Sequence, residues 1–396
     1  MLLIFTFALL LRVGFLLFYN NGQMLSDNFY AADESSYDQI AVNFLEGKGM
    51  VTDDGLYARR VPVYPFFLAV VYFIFGHSFV AVRFIQSALS AISCILVYLI
   101  GLEAFNKRCG IVAAIICVIY YPFIYMPAYL VTESFFTFLL LSSVYFYLRY
   151  YNLRNNNYLF VATLLLGIAA LCRSVIFPFI VFVFIWLLII YTNKINKLIK
   201  ALLFVLVGFS LVISPWAFRN YTIYKTFIPG TLETGLFLYL GNNHLATGGT
   251  GGWTKWGQDQ FVPQDSGKLF TVESDRELTK KAIEFISHNP KRFLWLCWRK
   301  MVNMWRPFYA DARFLNKLLM SLLYVPIMIL AVLGIFLAFS NSLAKSCLLF
   351  FLIIYLNVIS LITISSIRYR YPIMPFLIIF AASALVYLKG KVFVKK

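Results

Sequence analysis

The sequence predicts an all-α protein that crosses a membrane many times. Of its 396 residues, 61% are hydrophobic and only 13% are charged, and the mean hydropathy is +0.80. A soluble globular domain carries about 25% charged residues. Several apolar runs also reach the roughly 20 residues that an α-helix needs to cross a bilayer. Two long polar stretches separate these runs into groups of membrane helices.

We expect ten spans, one at each long apolar run. They lie at 2–19, 83–102, 110–127, 130–148, 158–174, 175–191, 200–217, 315–339, 347–366 and 371–388. Residues 62–76 are also apolar, but this run is short and contains Pro62 and Pro65, which favours an interfacial or re-entrant helix. The first run has no basic start or small-residue cleavage site, so we expect a retained helix rather than a signal peptide.

The spans define three units of the chain. Residues 1–217 form a transmembrane module that includes the first long loop, 20–82. Residues 218–312 form a second long loop, and residues 313–396 form the C-terminal helices. Within the second loop, a helix-like run from 272 to 305 mixes aromatic with basic residues, which favours a helix lying among lipid headgroups. Its members are Phe285, Lys291, Arg292, Phe293, Trp295, Trp298, Arg299, Lys300 and Trp305.

Charge asymmetry predicts the orientation. The short connections and the tail carry Lys107, Arg108, Arg149, Arg154, Lys194, Lys197, Lys200, Lys345, Lys389, Lys391, Lys395 and Lys396, all on one side of the ten-span arrangement. Of the 17 acidic residues, only Glu103 falls on that side. Basic residues accumulate in cytoplasmic loops, so both long loops are predicted to be extracytoplasmic. The net charge of +17 then reflects this bias and anionic membrane lipids as partners, rather than nucleic acid.

The first candidate site is the acidic cluster of Asp33, Glu34 and Asp38 in the first loop. Adjacent carboxylates repel each other as anions, which can raise the pKa of one of them. A carboxylate near a hydroxyl can act as a general base. The alternative is a solvated loop in which Asp33 caps a helix. Glu133, at the start of an apolar run on the same side, could be a partner of the helix dipole or line the same cavity.

Arginines form the second candidate set, because their guanidinium groups match phosphate oxygens. Arg59 and Arg60 lie in the first loop, and Arg368 and Arg370 lie on the side where positive charge is not expected. Arg12 and Arg173 interrupt or end apolar runs and raise the same question. The alternatives are anchoring at headgroups and snorkelling of the long side chains.

Polar residues of the second loop could contact a sugar. Arg219 lies in a Phe-Arg-Asn-Tyr stretch at the end of a span, and Asn242, Asn243 and His244 follow Gly241. Their amides and imidazole can hydrogen-bond hydroxyl groups, although such a stretch can equally form a simple turn. The six cysteines lie in or beside apolar runs without metal-ligand spacing, so no metal site is predicted.

The order of these motifs resembles the GT-C superfamily of glycosyltransferases. It is most similar to the branch with bacterial protein O-mannosyltransferases and the aminoarabinose transferase of lipid A. The matching residues are Asp33-Glu34 with Tyr37, the Arg60 to Pro65 stretch with Tyr64, Phe75-Gly76 with Arg83, Phe105-Asn106-Lys107-Arg108, Thr132-Glu133, Pro215-Trp216 with Arg219-Asn220-Tyr221, Gly241-Asn242-Asn243 with Ala246-Thr247-Gly248, and Arg368-Tyr369-Arg370-Tyr371-Pro372. The chain lacks the extra C-terminal helices and soluble domain of larger members, which leaves the acceptor open.

The resemblance implies an inverting transferase at the outer face of a bacterial inner membrane, with a polyprenyl-phosphate sugar, such as an undecaprenyl-phosphate sugar, as donor. The acceptor would be a hydroxyl of a cell-envelope glycan, lipid or protein, and no cofactor is expected. Asp33 is the expected base, and Glu34 and Glu133 would shape the acceptor side or tune that base. Arginines 59, 60, 83, 173, 368 and 370 would hold the phosphate, and Tyr37, Tyr64, Arg219, Asn242, Asn243 and His244 would contact sugar or acceptor.

Two other functions compete with this interpretation. A lipid-linked sugar flippase or transporter predicts internal repeats and paired broken helices, and the sequence shows neither. A glycan polymerase also works at the outer face, but we expect its key arginines in large later loops and no acidic first loop.

Overall fold

The computed structural model describes residues 1–28, 33–249, 262, 266–308, 314–341 and 343–393. Within these ranges the chain is helical and contains no β-strand, so the predicted all-α class is confirmed. The helices are α1 Leu2–Phe18, α2 Glu34–Leu45, α3 Val63–Phe75, α4 Phe79–Ala104, α5 Lys107–Ile119, α6 Tyr121–Tyr125, α7 Glu133–Leu153, α8 Asn156–Ala170, α9 Phe179–Ile190, α10 Ile195–Tyr224, α11 Thr234–Gly241, α12 Ser266–Leu269, α13 Val272–His288, α14 Pro290–Trp305, α15 Phe314–Asn341, α16 Leu343–Ile362 and α17 Met374–Phe393.

Each of the ten predicted spans coincides with a helix. By length and apolar composition, four helices of the described chain can cross a membrane, namely α4, α10, α15 and α16. A fifth span is formed if α5 and α6, which meet at a bend of 64°, count as one. The bend follows Tyr120, whose backbone is extended, and Pro122 lies in the first turn of the next helix, where its nitrogen needs no hydrogen-bond partner. The full ten-span topology stays a prediction.

The helices pack around α4, which contacts α1, α5 and α7. Further layers follow from α7 to α8 and α10, and from α5 to α17 and α15. The contact between α4 and α5 needs two glycines, because a Cβ atom on Gly101 would lie 2.8 Å from the Cα atom of Gly110. This close contact lies two residues from Glu103, near the C-terminus of α4.

Charged groups collect at two opposite ends of the bundle. At one end, Arg149 donates a hydrogen bond to Glu103 at 2.8 Å, and Lys345 donates to the Glu103 carbonyl at 2.7 Å. The N-terminus of α7, with Glu133, lies at the other end, where Glu133 meets Arg173 and Arg368. This separation agrees with the asymmetry of charge along the sequence.

The helices of the two long loops agree with one prediction and differ from another. The 62–76 run forms α3, whose 13 residues are too few to span a bilayer. The expected single helix from 272 to 305 is wrong in one respect, because it divides into α13 and α14 at Asn289. Pro290 is the reason, since proline has no backbone N–H for a continuous helix but fits the first turn of a new one.

Candidate functional site

Asp33 lies at the start of α2 and makes no hydrogen bond that caps this helix. Its two carboxylate oxygens instead accept from two arginines of distant segments. Oδ1 accepts from Nη2 of Arg60 at 3.1 Å, and Oδ2 accepts from Nη2 of Arg368 at 2.8 Å. The side chain of Asp33 therefore binds arginines and does not cap α2, so the alternative of a simple helix cap does not apply.

Arg368 joins Asp33 to a second carboxylate. Its Nε donates to Oε1 of Glu133, and the same oxygen accepts from Nη1 of Arg173 at 2.6 Å. Glu133 begins α7 and is fully buried, whereas Arg173 follows the end of α8. The second oxygen of Glu133, Oε2, is buried and has no hydrogen-bond partner in the described part of the chain. Charge-assisted bonds of this kind are stronger than neutral ones, so the three segments are held firmly together.

Arg60 extends the network to a third carboxylate. Its Nη1 lies 3.3 Å from Oε2 of Glu233, its Nε donates to Ser36 at 3.1 Å, and its guanidinium lies over the ring of Tyr37. Three arginines and three carboxylates thus alternate from Arg173 to Glu233. Because the charges within this set compensate each other, no single ion is buried without a partner.

The network lines a cavity of about 670 Å³. This volume falls within the roughly 300–1,000 Å³ of small-molecule sites. Its walls combine the charged groups with apolar side chains such as Phe136, Phe177 and Ile359. Predicted site residues that reach the wall are Asp33, Tyr37, Arg60, Arg173 and Arg368. A polar floor with apolar walls suits a ligand that has a charged head and an apolar chain.

The network also sets the ionisation of its members. Burial by itself raises the pKa of Asp33, but the charges of Arg60 and Arg368 outweigh burial and hold this pKa below its ordinary value of 3.8. Burial raises the pKa of Glu233, although Arg60 opposes the shift. Burial raises the pKa of Tyr37 to about 12, so its hydroxyl stays protonated. Between Asp33 and Glu233, Asp33 is thus the firmly ionised carboxylate, because two arginines donate to it.

Glu133 belongs to the network without lining the wall, and four other residues predicted for catalysis or phosphate binding lie away from both. Glu34 is fully buried and accepts a hydrogen bond from the backbone N–H of Leu130 at 2.7 Å. Arg83 donates to four backbone carbonyls between 2.5 and 3.0 Å. Arg59 lies over the ring of Phe270. Arg370 donates to the carbonyls of residues 304, 306 and 307, beside a separate small void. These side chains join chain segments, so the structure favours a structural role for them.

Apart from Tyr37, the residues predicted to contact sugar bond or pack against other parts of the protein. Tyr64 is fully buried and donates to Gln86 at 3.0 Å. Arg219 donates to the carbonyls of residues 50 and 57. Asn242 and Asn243 bond carbonyls at the end of α11, and the ring of His244 packs on Phe285. Apart from Tyr37, none of these side chains lines the 670 Å³ cavity as the structure describes it.

A metal centre has no obvious ligand set here. Within the described ranges, no three His, Cys, Asp or Glu side chains are grouped as a metal ion would require. Asp33, Glu133 and Glu233 are each engaged by arginine, which supplies the positive charge that a cation would otherwise bring.

The sequence of residues 59–218 matches the family of dolichyl-phosphate-mannose-protein mannosyltransferases. A search of curated proteins gave no match. Among solved structures, the chain superposes on the oligosaccharyltransferase AglB from Archaeoglobus fulgidus, in complex with an inhibitory peptide and a dolichol-phosphate, with a TM-score of 0.63 and 16% identity. It also superposes on ArnT from Cupriavidus metallidurans bound to undecaprenyl phosphate, with a TM-score of 0.54 and 15% identity. The chain has the GT-C fold. The resemblance predicted from sequence is thereby confirmed.

The GT-C fold accounts for the whole chain but only for part of each relative. The superposition covers 100% of this chain with 51% of AglB, and 100% of this chain with 61% of ArnT. This chain therefore spans about half of AglB and three fifths of ArnT. The shared part is the helical bundle with the cavity end.

Sequence reasoning missed several residues of this GT-C cavity. Glu233 pairs with Arg60, Ser36 bonds the same guanidinium, and Tyr369, Asp275 and Arg276 line the wall. One signal was available for Glu233, because it is an isolated acid in the otherwise uncharged stretch 226–240. Ser36 carries no such signal, since its role depends on how distant segments meet, whereas Tyr369 lies between the two arginines of the 368–372 motif.

Proposed function

We propose that this protein is an inverting glycosyltransferase that moves a sugar from a polyprenyl-phosphate donor to a hydroxyl group. The observation that carries the proposal is the arrangement of Asp33 and Glu133 on the shared guanidinium of Arg368, at a cavity at one end of a GT-C bundle. An ionised carboxylate beside phosphate-binding arginines is what this transfer requires.

The donor site is inferred from the arginines of the wall. AglB and ArnT were solved with dolichol-phosphate and undecaprenyl phosphate, respectively. In this chain, Arg60, Arg173 and Arg368 each already bond carboxylate oxygens, and phosphate oxygens accept from guanidinium in the same geometry. The apolar walls near Phe177 and Ile359 would receive the start of the polyprenyl chain. We propose undecaprenyl phosphate as the lipid.

The reaction then needs one proton acceptor. The acceptor oxygen forms a bond to the anomeric carbon as the bond from this carbon to the phosphate oxygen breaks, which inverts the configuration. The hydroxyl proton passes to Asp33 and from there to water or to the leaving phosphate. Polyprenyl phosphate leaves with one additional negative charge, which Arg60, Arg173 and Arg368 stabilise.

The lowered pKa of Asp33 fits this sequence of events. In the free protein, Arg60 and Arg368 keep Asp33 ionised but weaken it as a base. When a phosphate binds these arginines, its charge offsets theirs, and the pKa of Asp33 rises toward that of a stronger base. Donor binding thus prepares the carboxylate for the proton that the acceptor releases.

The acceptor side is inferred from the unsatisfied oxygen of Glu133. A buried carboxylate oxygen without a donor is costly, and an acceptor hydroxyl would supply the missing hydrogen bond. The side chains of Glu233, Thr231 and Thr234 also line the wall and can form hydrogen bonds with hydroxyl groups of an acceptor. We infer a hydroxyl-bearing glycan, lipid or protein of the cell envelope. The positive-inside charge pattern supports an orientation with this cavity at the outer face of a bacterial inner membrane.

Replacing Asp33 tests the proposal. Asn keeps the size and the hydrogen-bond acceptor but is a far weaker base, so Asp33→Asn should lose transfer by roughly 10²–10⁴-fold, the range for removal of a general base. Binding of undecaprenyl phosphate should survive, because Arg173 and Arg368 remain. The measurement is turnover and donor affinity for purified protein with a panel of polyprenyl-phosphate sugars.

Glu34→Gln serves as the matched control. Glu34 is the adjacent acid, but it bonds the backbone of Leu130 rather than an arginine of the wall. Its variant should retain most turnover per folded molecule. Near-normal turnover in Asp33→Asn would remove Asp33 from the mechanism, and transport of the lipid without any transfer would favour a flippase.

A further inference from the structure

Lys300 is a buried cation outside the cavity. It lies on α14, where Leu294 and Trp298 face outward, but its own side chain is only 1% exposed. Lys300 therefore differs from the exposed basic residues of this run, because it shares the inner face with Leu296 and Met304 at helical spacing.

The Lys300 ammonium binds neutral oxygens. Nζ donates to the carbonyls of Leu361 and Ile362 at 2.9 and 3.4 Å and to the side-chain oxygen of Asn242 at 3.1 Å. No carboxylate of the described chain forms an ion pair with it. Burial consequently lowers the pKa of Lys300 to about 8. A buried cation with this environment needs a structural or functional reason.

The acceptors explain why a cation fits. Leu361 and Ile362 end α16, and the last carbonyls of a helix lack partners within it and carry partial negative charge. Asn242 also donates to the Ile362 carbonyl at 2.7 Å, which brings α11 to the same point. The approach leaves no room beside Gly241, where a Cβ atom would lie 1.8 Å from the carbonyl oxygen of Thr363. Three helices thus meet at one ammonium.

The segment that follows the C-terminus of α16 contains Arg368. Residues 363–370 form the first part of the connection from α16 to α17. Residues of α14 bond this segment on both sides of Arg368. Before it, Ser365 donates to the Lys300 carbonyl at 2.7 Å. After it, Arg370 donates to the carbonyls of Met304 and Pro307 at 3.3 and 3.4 Å. Arg368 itself points away from α14, to Asp33 and Glu133.

We infer that Lys300 is a positioning residue, which fixes the 363–370 segment against α14 and so holds Arg368 between Asp33 and Glu133. The inference rests on the proposed function of Arg368 in binding the donor phosphate. It gives the interfacial helix α14 a direct connection to the reaction centre.

Lys300→Met tests this role, with Lys291→Met as the control on the same helix. Lys291 is exposed, whereas methionine in place of Lys300 keeps the apolar stem without the ammonium. Hydrogen exchange of amides 363–370 should accelerate in Lys300→Met and stay unchanged in Lys291→Met. Affinity for undecaprenyl phosphate in nanodiscs should fall about 10-fold or more, the effect of a weakened charge-assisted contact.

A double-mutant cycle separates positioning from general damage. If Lys300 acts through Arg368, then Lys300→Met lowers the affinity for undecaprenyl phosphate in the wild-type background but has no further effect in Arg368→Gln. Lys300→Gln, which keeps two donors without the charge, should recover part of the affinity and replaces Lys300→Met if that variant does not fold.

The outcomes separate this inference from the proposed function. Wild-type protein that binds no undecaprenyl phosphate would refute the proposed donor, while hydrogen exchange would still report on the segment. Unchanged exchange in Lys300→Met, or losses that multiply in the double variant, would overturn the positioning role and leave the donor site intact.

Discussion

Arg368 and Arg83 differ in what they bind. Arg368 donates to the carboxylates of Asp33 and Glu133 and lines the cavity. Arg83, in α4, is fully buried and donates to the backbone carbonyls of residues 24, 26, 28 and 128. One region of the molecule pairs arginine with anions beside open space, and the other uses arginine to join backbone segments.

The difference shows how a binding arginine can be told from a structural one. An arginine bound to a carboxylate can bind a phosphate instead, because one anion replaces another as its acceptor and no backbone group loses its partner. A carbonyl that gives up its guanidinium remains unpaired in the interior, which costs free energy. The acceptors of an arginine therefore indicate its role better than its place in an apolar run.

The largest expected effect on stability is that of Arg83→Met. This change leaves up to four carbonyls without their guanidinium donor, and two of these hydrogen bonds are fully buried. The free energy of unfolding should therefore fall by about 3–5 kcal/mol. Thermal unfolding in detergent measures the loss. Wild-type stability in this variant would show that Arg83 does not hold these segments. It would contradict the difference in role between carbonyl-bound and carboxylate-bound arginines.

A smaller effect is expected on the pH dependence of transfer. Because Arg60 and Arg368 lower the pKa of Asp33, the base stays ionised until the pH falls below its ordinary pKa of 3.8. In Arg60→Gln one of these cations is gone, so the pKa of Asp33 rises and the acid limb of kcat/KM moves to higher pH. Arg149→Gln is the control, since Arg149 pairs with Glu103 at the opposite end of the bundle. Coincident limbs in wild type and Arg60→Gln would contradict the electrostatic role.

The smallest effect should come from the opposite end of the bundle. Arg149 pairs with Glu103 at 2.8 Å, but its side chain is 31% exposed and does not line the cavity. Such pairs contribute about 0–1 kcal/mol. Arg149→Gln should change neither transfer nor donor affinity, and a loss of transfer would mean that an ion pair outside the cavity contributes to the reaction.

Much of the fold could be predicted because a bilayer leaves few choices. Backbone groups in lipid must bond within the helix, so long apolar runs indicate helices, and each of the ten predicted runs is helical. The breaks were less evident, although Pro122 and Pro290 mark both of them. The split of the 272–305 run follows from the missing N–H of Pro290.

The site was only partly predictable, because its partners come from distant segments. Charges in an apolar chain stand out, which is why Asp33, Glu133 and Arg368 could be selected from the sequence. Sequence does not say which acceptor an arginine meets, so Arg83 could not be distinguished from Arg368. For Lys300, the spacing from Leu296 and to Met304 was a readable signal of an inner face, but the basic and aromatic neighbours outweighed it.

The most direct test of the account compares Arg368→Gln with Arg83→Met in one binding experiment. The measurement is the affinity for undecaprenyl phosphate per folded molecule, together with the unfolding temperature of each variant. We expect Arg368→Gln to bind about 10–100-fold more weakly, as loss of a charge-assisted contact implies. Its unfolding temperature should fall less than that of Arg83→Met, because Arg60 still pairs with Asp33 and Arg173 still pairs with Glu133. Arg83→Met should unfold at a lower temperature and bind nearly as well as wild type. Wild-type affinity in Arg368→Gln, with the loss of binding in Arg83→Met instead, would contradict the assignment of the donor site to the carboxylate-bound arginines.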